Sequence, residues 1–142
     1  MSEWRKQIRV IKMGKLQKIM SFDFDDTLCM EKDGSPNPVM VGLVHKYAAE
    51  GFKCYIVTAR NKAHESTKWI KENGGKRVRI KDFIKDNQLP INQCFYTNHA
   101  PKSDVLLTCN AIMHYDDCDI VLQELKDKNI PCKKTLNPND RL

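Results

Sequence analysis

Two aspartates one residue apart, Asp23 and Asp25, follow an apolar, β-prone stretch, and a hydroxyl residue, Thr27, comes two positions later. Alternate residues of a strand share a face, so both carboxylates would point the same way if the strand continued through them. Two such charges at a strand end stay ionised together only if a cation or water compensates them. Mg²⁺ prefers carboxylate oxygens, water and phosphate as ligands. The spacing therefore indicates a magnesium site, with an acidic turn after a buried strand as the alternative on spacing alone.

The elements that position these residues alternate between strand and helix. Apolar, β-prone runs predict strands at 16–24, 52–57, 93–97, 111–115 and 130–135. Helical spacing and end signals predict helices at 39–50, 62–73, 101–108 and 120–128, with a further helix through Phe83 and Ile84 that ends before Pro90. Asp33-Gly34 predicts a turn in a short hairpin or flap over 29–38. This alternation predicts an α/β fold, a doubly wound parallel sheet with helices on both faces.

Polar side chains collect where the predicted strands end. Thr58 and Thr97 close the second and third strands, and the pair Asp116-Asp117 follows the fourth. In sheets of this kind, ligands bind beyond the carboxyl ends of the strands. Lys102 stands at a helix start, where the helix dipole disfavours a cation, so a functional partner for it becomes more plausible. The aspartate pair also suits a helix N-cap, which is compatible with metal binding.

Together these residues resemble, in chain order, the four motifs of the haloacid dehalogenase (HAD) superfamily of phosphotransferases. The stretch Asp23-Phe24-Asp25-Asp26-Thr27 is similar to the D-x-D-x-T motif, with Asp26 where glycine is frequent. Thr58 is similar to the second motif, Lys102 to the third, and Asp116-Asp117 to the acidic fourth. The resemblance covers about residues 18–128.

The resemblance implies a Mg²⁺-dependent phosphomonoester phosphatase that forms an aspartyl-phosphate. It assigns the nucleophile to Asp23 and the general acid/base to Asp25. Phosphate oxygens would contact Thr58 and Lys102. The implied magnesium ligands are Asp23, the backbone carbonyl of Asp25, and the pair Asp116 and Asp117. One aspartate of that pair is the direct ligand, and the sequence leaves open which one. Candidate substrate contacts are Thr27, Arg60, Asn98 and His99.

The places where such enzymes insert cap domains are short here. Residues 28–52 hold only a flap and one helix, and 58–102 hold about two helices and a connection. A minimal or absent cap leaves an open mouth, which suits a phosphate on a large molecule such as a nucleic acid end. A small phosphomonoester, either a nucleotide or a sugar phosphate, is the second hypothesis. The third is a nucleic-acid-binding module with little turnover, although binding alone does not need both Asp23 and Asp25.

The basic charge is concentrated at the N-terminus. The net charge is +6, and the first 18 residues contain six lysines and arginines against a single acid, Glu3. Such a segment favours a polyanionic partner, nucleic acid above all, with a solubilising basic face as the alternative. The predicted organisation is a basic leader at 1–17 that includes a candidate edge strand at 7–13, a single α/β domain at 18–136, and a polar tail at 137–142.

Composition bears on the compartment. No apolar run approaches the ~20 residues of a membrane span, and no secretory signal is recognisable. Six cysteines occur without a C-x-x-C pair, which favours reduced thiols over a disulfide framework or a zinc site. These features predict a cytoplasmic protein without a membrane partner, and the sequence leaves the oligomeric state open.

Overall fold

The computed structural model describes residues 2–12 and 17–139, and its strands form one all-parallel, five-stranded sheet. The strands are β1 (Ile19–Phe22), β2 (Lys53–Thr58), β3 (Gln93–Tyr96), β4 (Met113–Asp116) and β5 (Cys132–Lys134). Their spatial order is β3-β2-β1-β4-β5. The chain therefore winds outward from β1 in one direction and then returns to its other side, which confirms the predicted doubly wound sheet.

Helices cover both faces of the sheet. They are α1 (Glu3–Lys12), α2 (Pro38–Ala49), α3 (Thr67–Glu72), α4 (Ile80–Asp86), α5 (Ser103–Cys109) and α6 (Asp119–Asp127), with a 3₁₀ turn at Lys62–Glu65. Alternate residues of the central strands enter two separate cores. Phe22 packs with Met40 of α2 and Phe83 of α4, whereas Tyr55 of β2 packs with Leu106 of α5 on the opposite face.

The N-terminal segment is a helix, so the prediction of an edge strand at 7–13 is wrong. Trp4, Ile8 and Ile11 recur at helical spacing, and this period outweighs the short β-branched run. Ile8 is 2% exposed and joins the core that contains α5. Residues 13–16, which include the end of the predicted edge strand, and the end of the predicted tail, 140–142, lie outside the described residues.

The helix predicted at 62–73 is interrupted. The 3₁₀ turn ends at Glu65, and Ser66 has extended backbone angles before α3 begins. The Ser66 hydroxyl accepts a hydrogen bond from Trp69 N–H at 3.1 Å, so it caps α3 as a separate element. The break lets Glu65 turn back toward the sheet edge. The other strand and helix predictions are confirmed, with shifts of a few residues at their ends.

The predicted flap at 29–38 is present as a short, turn-rich loop. Met30 N–H donates to Ser35 O at 2.7 Å, and an isolated antiparallel bridge pairs Cys29 with Pro36. Gly34 has a φ of +73°, and a Cβ there would lie 2.7 Å from Cγ2 of Val78. The loop therefore packs directly on the segment that precedes α4. Among the described residues, no helix combines the length and apolarity that crossing a bilayer requires.

Gly34→Ala should lower the free energy of unfolding by roughly 1–2 kcal/mol, because alanine is strained at positive φ and its methyl group would displace Val78. Urea denaturation measures the change. The matched control is Gly42→Ala in α2, where nothing lies within 4 Å of the new methyl group. Gly42→Ala should raise the free energy of unfolding by roughly 0.5–1 kcal/mol, because alanine has a higher helix propensity than glycine. A change in the free energy of unfolding in the same direction for both variants would contradict this account of the flap.

Candidate active site

The candidate site lies at the carboxyl ends of β1 and β4, where the direction of winding reverses. Asp23 follows β1 directly, and its N–H donates to Tyr115 O of β4 at 2.8 Å, extending the ladder by one residue. Asp116 is the last residue of β4. Because adjacent parallel strands end at the same edge, the two aspartates meet there, in the crevice where such folds bind ligands.

A buried lysine joins these two aspartates. Lys102 Nζ donates to Asp23 Oδ1 at 2.9 Å and to Asp116 Oδ2 at 2.7 Å. The lysine is 5% exposed, and it precedes α5. Its burial opposes the charged form, but attraction to Asp23 and Asp116 outweighs that penalty and raises the pKa of Lys102. The three side chains therefore form an ion triad at the sheet edge.

When all three carboxylates are ionised, the triad and its neighbour Asp117 carry more negative charge than Lys102 can neutralise. Burial, with the charge of Asp116 and the contact with Asp117, raises the pKa of Asp23 from 3.8 to about 7 despite Lys102. Burial also raises the pKa of Asp117. For Asp116, burial is outweighed by the hydrogen bond from His114 and the charge of Lys102, and its pKa falls to about 2. One lysine thus compensates only part of the carboxylate charge.

These carboxylates fit a magnesium ion. Ligand atoms of Asp23, Asp116 and Asp117 all lie within 4.8 Å of one another. Oxygen donors with net negative charge are the set that Mg²⁺ prefers. Among the described residues, none donates a hydrogen bond to the backbone carbonyl of Asp25, which leaves this predicted ligand available. The carboxylate of Asp25 is not part of the cluster.

A second layer of buried polar groups orients Asp116. His114 is fully buried, with Nε2 2.9 Å from Asp116 Oδ2 and Nδ1 2.8 Å from Ser21 Oγ. Burial lowers the pKa of His114, so the ring is neutral. Nε2–H then donates to the carboxylate while Nδ1 accepts from the serine hydroxyl. His114 is thus a packed residue that also positions a candidate metal ligand.

Thr27 is held inside the loop that follows Asp23. It is fully buried, and its hydroxyl lies 2.6 Å from Thr135 Oγ1 and donates to Asp23 Oδ2 at 3.4 Å. In this arrangement Thr27 orients Asp23 from within the protein. It does not face solvent, where a substrate would approach.

Asp25 forms an ion pair away from the acidic cluster. Arg60 donates to its two carboxylate oxygens, from Nε at 2.8 Å and from Nη2 at 2.7 Å. The Arg60 side chain is 6% exposed and that of Asp25 is 32% exposed. The guanidinium also lies over the ring of Phe24, 4.8 Å from its centroid. Arg60, predicted as a substrate contact, therefore acts first as a clamp on Asp25.

Glu65 anchors the other side of Arg60, and sequence reasoning missed it. Its oxygens accept from Arg60 Nη1 at 3.1 and 2.9 Å, and Oε1 also accepts from the backbone N–H of Ile80 at 3.0 Å. No sequence signal marked this residue, because a continuous helix through 62–73 would place it on a solvated surface. Ser21 and Thr135 were missed for a similar reason, since strand-end hydroxyl residues carry no distinctive spacing.

The remaining predicted residues surround the end of β2. Thr58 is 1% exposed, and its hydroxyl oxygen accepts from Arg60 N–H at 3.2 Å. Asn98 and His99 have exposed side chains in a turn whose N–H groups bond to Arg60 O and Ala59 O. The structure therefore brings Thr58, Asn98 and His99 to the same edge as Asp25, with the last two facing solvent.

Mg²⁺ should raise the melting temperature more at about pH 8 than at about pH 6. Without metal, the folded state retains the proton of Asp23 up to about pH 7, whereas the unfolded chain releases it near 3.8. Metal-free stability from this group therefore falls as pH rises through that window, and at lower pH the metal must displace a proton. Thermal unfolding with and without Mg²⁺ at both pH values measures the effect.

Asp117→Asn should reduce the Mg²⁺-dependent shift, because it removes one carboxylate of the cluster. The control is Asp119→Asn, which neutralises an exposed carboxylate two residues away and should leave the shift in place. An equal shift at both pH values, or an undiminished one in Asp117→Asn, would contradict the assignment of the metal site.

Comparison with known proteins shows similarity of fold. No protein-family model matches the sequence, and no curated protein matches it. The chain superposes on chains from two solved structures of the Pnkp1/Rnl/Hen1 complex, one of them described as an RNA repair complex. One match has a TM-score of 0.62 at 14% identity and covers 90% of this chain and 48% of the other. The second has a TM-score of 0.59 at 13% identity and covers 88% and 44%. The chain thus spans about half the length of these neighbours and shares their fold over that part.

Proposed function

We propose that this chain is a HAD-type, Mg²⁺-dependent phosphomonoester hydrolase that acts on a phosphate at the end of a nucleic acid. The observation that carries this proposal is the buried triad of Asp23, Lys102 and Asp116, with Asp117 beside it and Asp25 at the same sheet edge. A buried lysine between two carboxylates, next to unneutralised carboxylate charge, is a costly arrangement for a purely structural role.

Asp23 is the nucleophile in this mechanism. Lys102 and Thr27 contact different oxygens of its carboxylate, Oδ1 and Oδ2 respectively. Oδ2, which has the weaker of these two contacts, attacks phosphorus and forms the new P–O bond as the ester P–O bond breaks. The product is an aspartyl-phosphate on Asp23 and a free alcohol.

Asp25 is the general acid and base in this mechanism. It gives a proton to the leaving oxygen and then takes one from the water that cleaves the aspartyl-phosphate, which regenerates Asp23 and releases phosphate. The bidentate contact with Arg60 sets a condition on this role. To act as a proton donor Asp25 must itself be protonated, so one of its oxygens has to exchange its bond with Arg60 for a proton directed at the leaving oxygen, while the other oxygen stays bound to Arg60.

Cations neutralise the negative charge of the phosphoryl group during its transfer. Mg²⁺ held by Asp23, Asp116, Asp117 and the Asp25 carbonyl would neutralise phosphoryl oxygens as charge develops on them. Lys102 adds a fixed positive charge beside the nucleophile. Within the part of the chain that the structure describes, the Thr58 hydroxyl accepts the Arg60 N–H and donates no hydrogen bond, so its own proton is available for a phosphoryl oxygen.

Three features favour a polymeric substrate. Among the described residues, only the flap and α2 lie between β1 and β2, and only the 3₁₀ turn, α3, α4 and β3 lie between β2 and α5, so neither place holds a separate cap domain. The chain carries a net charge of +6, with a surplus in the N-terminal segment. The structural neighbours include chains of an RNA repair complex. An open, basic protein suits an extended polyanion, although a small phosphomonoester remains the second candidate because an open mouth admits it too.

Asp23→Asn should abolish Mg²⁺-dependent phosphate release, because the amide cannot serve as the nucleophile. Asp25→Asn should lower kcat by about 10²–10⁴-fold through loss of acid/base catalysis. The measurement is phosphate release from an aryl phosphate, mononucleotides, and oligonucleotides phosphorylated at the 3′ or 5′ end. The matched control is Asp104→Asn, which changes an exposed aspartate near the start of α5 and should retain full activity.

This panel of phosphate esters also distinguishes the three functional hypotheses. Preference for an end-phosphorylated oligonucleotide over a mononucleotide would support the nucleic acid substrate, and the reverse preference would favour a small phosphomonoester. If the wild type releases no phosphate, yet it and Asp23→Asn bind an oligonucleotide equally well, the chain is a binding module and the hydrolase proposal fails.

A further inference from the structure

A cavity of about 270 Å³ opens beside Asp25, on the side away from the acidic cluster. The flap contributes Met30 and Gly34 to its lining, α3 contributes Trp69, and the loop after α3 contributes Lys76 and Arg77. Arg60 and Asp25 form its inner end. The cavity therefore adjoins the candidate active site at Asp25.

Arg77 is held in place but uses little of its hydrogen-bonding capacity. Its guanidinium carbon lies 5.7 Å from the centroid of the Trp69 ring, and the other partner of that ring, His64, stacks at 4.0 Å. Nε is 3.7 Å from Glu65 Oε2, which is too far for a hydrogen bond. Within the described residues, Nε is buried without a partner, and no other hydrogen bond from this side chain is present. A guanidinium stacked on an aromatic ring with unused donors is well suited to bind phosphate.

The charge of the cavity wall points to an anion as well. Lys76 is exposed beside Arg77 and makes no ion pair among the described residues. Glu65 accepts hydrogen bonds from Arg60 and also lies within ion-pair distance of Arg77, and Asp25 is engaged by Arg60. Glu31, exposed on the flap side, is the opposing charge on the lining. The wall at 76–77 is thus locally cationic.

We propose that this cavity receives the nucleoside that carries the scissile phosphate, and that Arg77 with Lys76 binds the phosphate on the other side of that nucleoside. This subsite rests on the proposed function, because it places the terminal phosphate at Asp23. The cavity volume of about 270 Å³ lies just below the range of about 300–1,000 Å³ for whole small-molecule sites, which fits one unit of a polymer. The second phosphate comes either from the next phosphodiester or from a nucleoside bisphosphate.

The first test compares kcat/KM for three substrates: a nucleoside monophosphate, the matching nucleoside bisphosphate, and an end-phosphorylated dinucleotide. The wild type should prefer the two substrates that have a second phosphate. Arg77→Met keeps the aliphatic stem over Trp69 but removes the charge, and it should reduce that preference roughly 10- to 100-fold. Lys76→Ala should reduce it less, because an exposed lysine is a weaker phosphate ligand.

The control is Lys68→Ala, which removes the same charge from the exposed side of α3, outside the cavity lining, and should leave the substrate preference unchanged. Glu31→Gln should shift the preference in the opposite direction to Arg77→Met, because it removes the opposing charge. Preference for the dinucleotide alone would identify the phosphodiester as the ligand, and equal preference for the bisphosphate would show that a free second phosphate suffices.

The second test measures binding without turnover. In a protein with Asp23→Asn and Trp4→Phe, Trp69 is the only tryptophan, and its fluorescence reports on the cavity. Added dinucleotide or bisphosphate should quench it, with Arg77→Met weakening binding of both more than that of the monophosphate.

An unchanged substrate preference in Arg77→Met overturns the subsite, whereas the absence of phosphate release by the wild type from every substrate of the panel overturns the proposed function instead. If catalysis is absent, the fluorescence titration still decides the subsite. Equal affinity for monophosphate and bisphosphate would refute it.

Discussion

The ion pairs of Lys102 with Asp23 and Asp116 are the interactions on which the structure of the sheet's carboxyl edge depends. Without this lysine, Asp23 and Asp116 would bring two carboxylates together at positions that are 7% and 1% exposed, with Asp117 adjacent. Burying an unpaired charge costs several kcal/mol, so the lysine makes the arrangement possible in the absence of metal. It does not neutralise the cluster, and this incomplete compensation leaves the site able to accept a divalent cation.

The layout of the fold follows from this constraint. Asp23 and Asp116 meet because β1 and β4 are neighbours, although nearly one hundred residues separate them in sequence. Lys102 reaches both because α5 begins beyond the end of β3 and packs on the face shared with α1 and α6. Ser21, His114, Thr27 and Thr135 then fix the carboxylates from behind, since each buried oxygen needs a hydrogen-bonding partner.

Sequence patterns predict most of the fold and the residue types of the site. Period-2 and period-3.6 apolar spacing identified every strand of the sheet and most helices, because those periods determine which face is buried. They failed at 62–73, where a serine cap divides a helical pattern, and at 7–13, where a short apolar run fits both periods. The ion pair of Arg60 with Asp25 was not predictable, because the chain returns to the site through an irregular turn. Long-range contacts of this kind leave no periodic signal.

Glu65 has consequences for how the protein tolerates substitution. Its carboxylate accepts hydrogen bonds from Arg60 and from the backbone N–H of Ile80 at the start of α4, and it forms an ion pair with Arg77. A change at this position therefore alters the sheet edge that carries the candidate site, the start of α4 and the cavity wall together. Effects of substitutions at positions 60, 65 and 77 will be non-additive, because each alters the partners left to the others. Glu65 is thus the shared partner through which substitutions on this side of the protein affect one another.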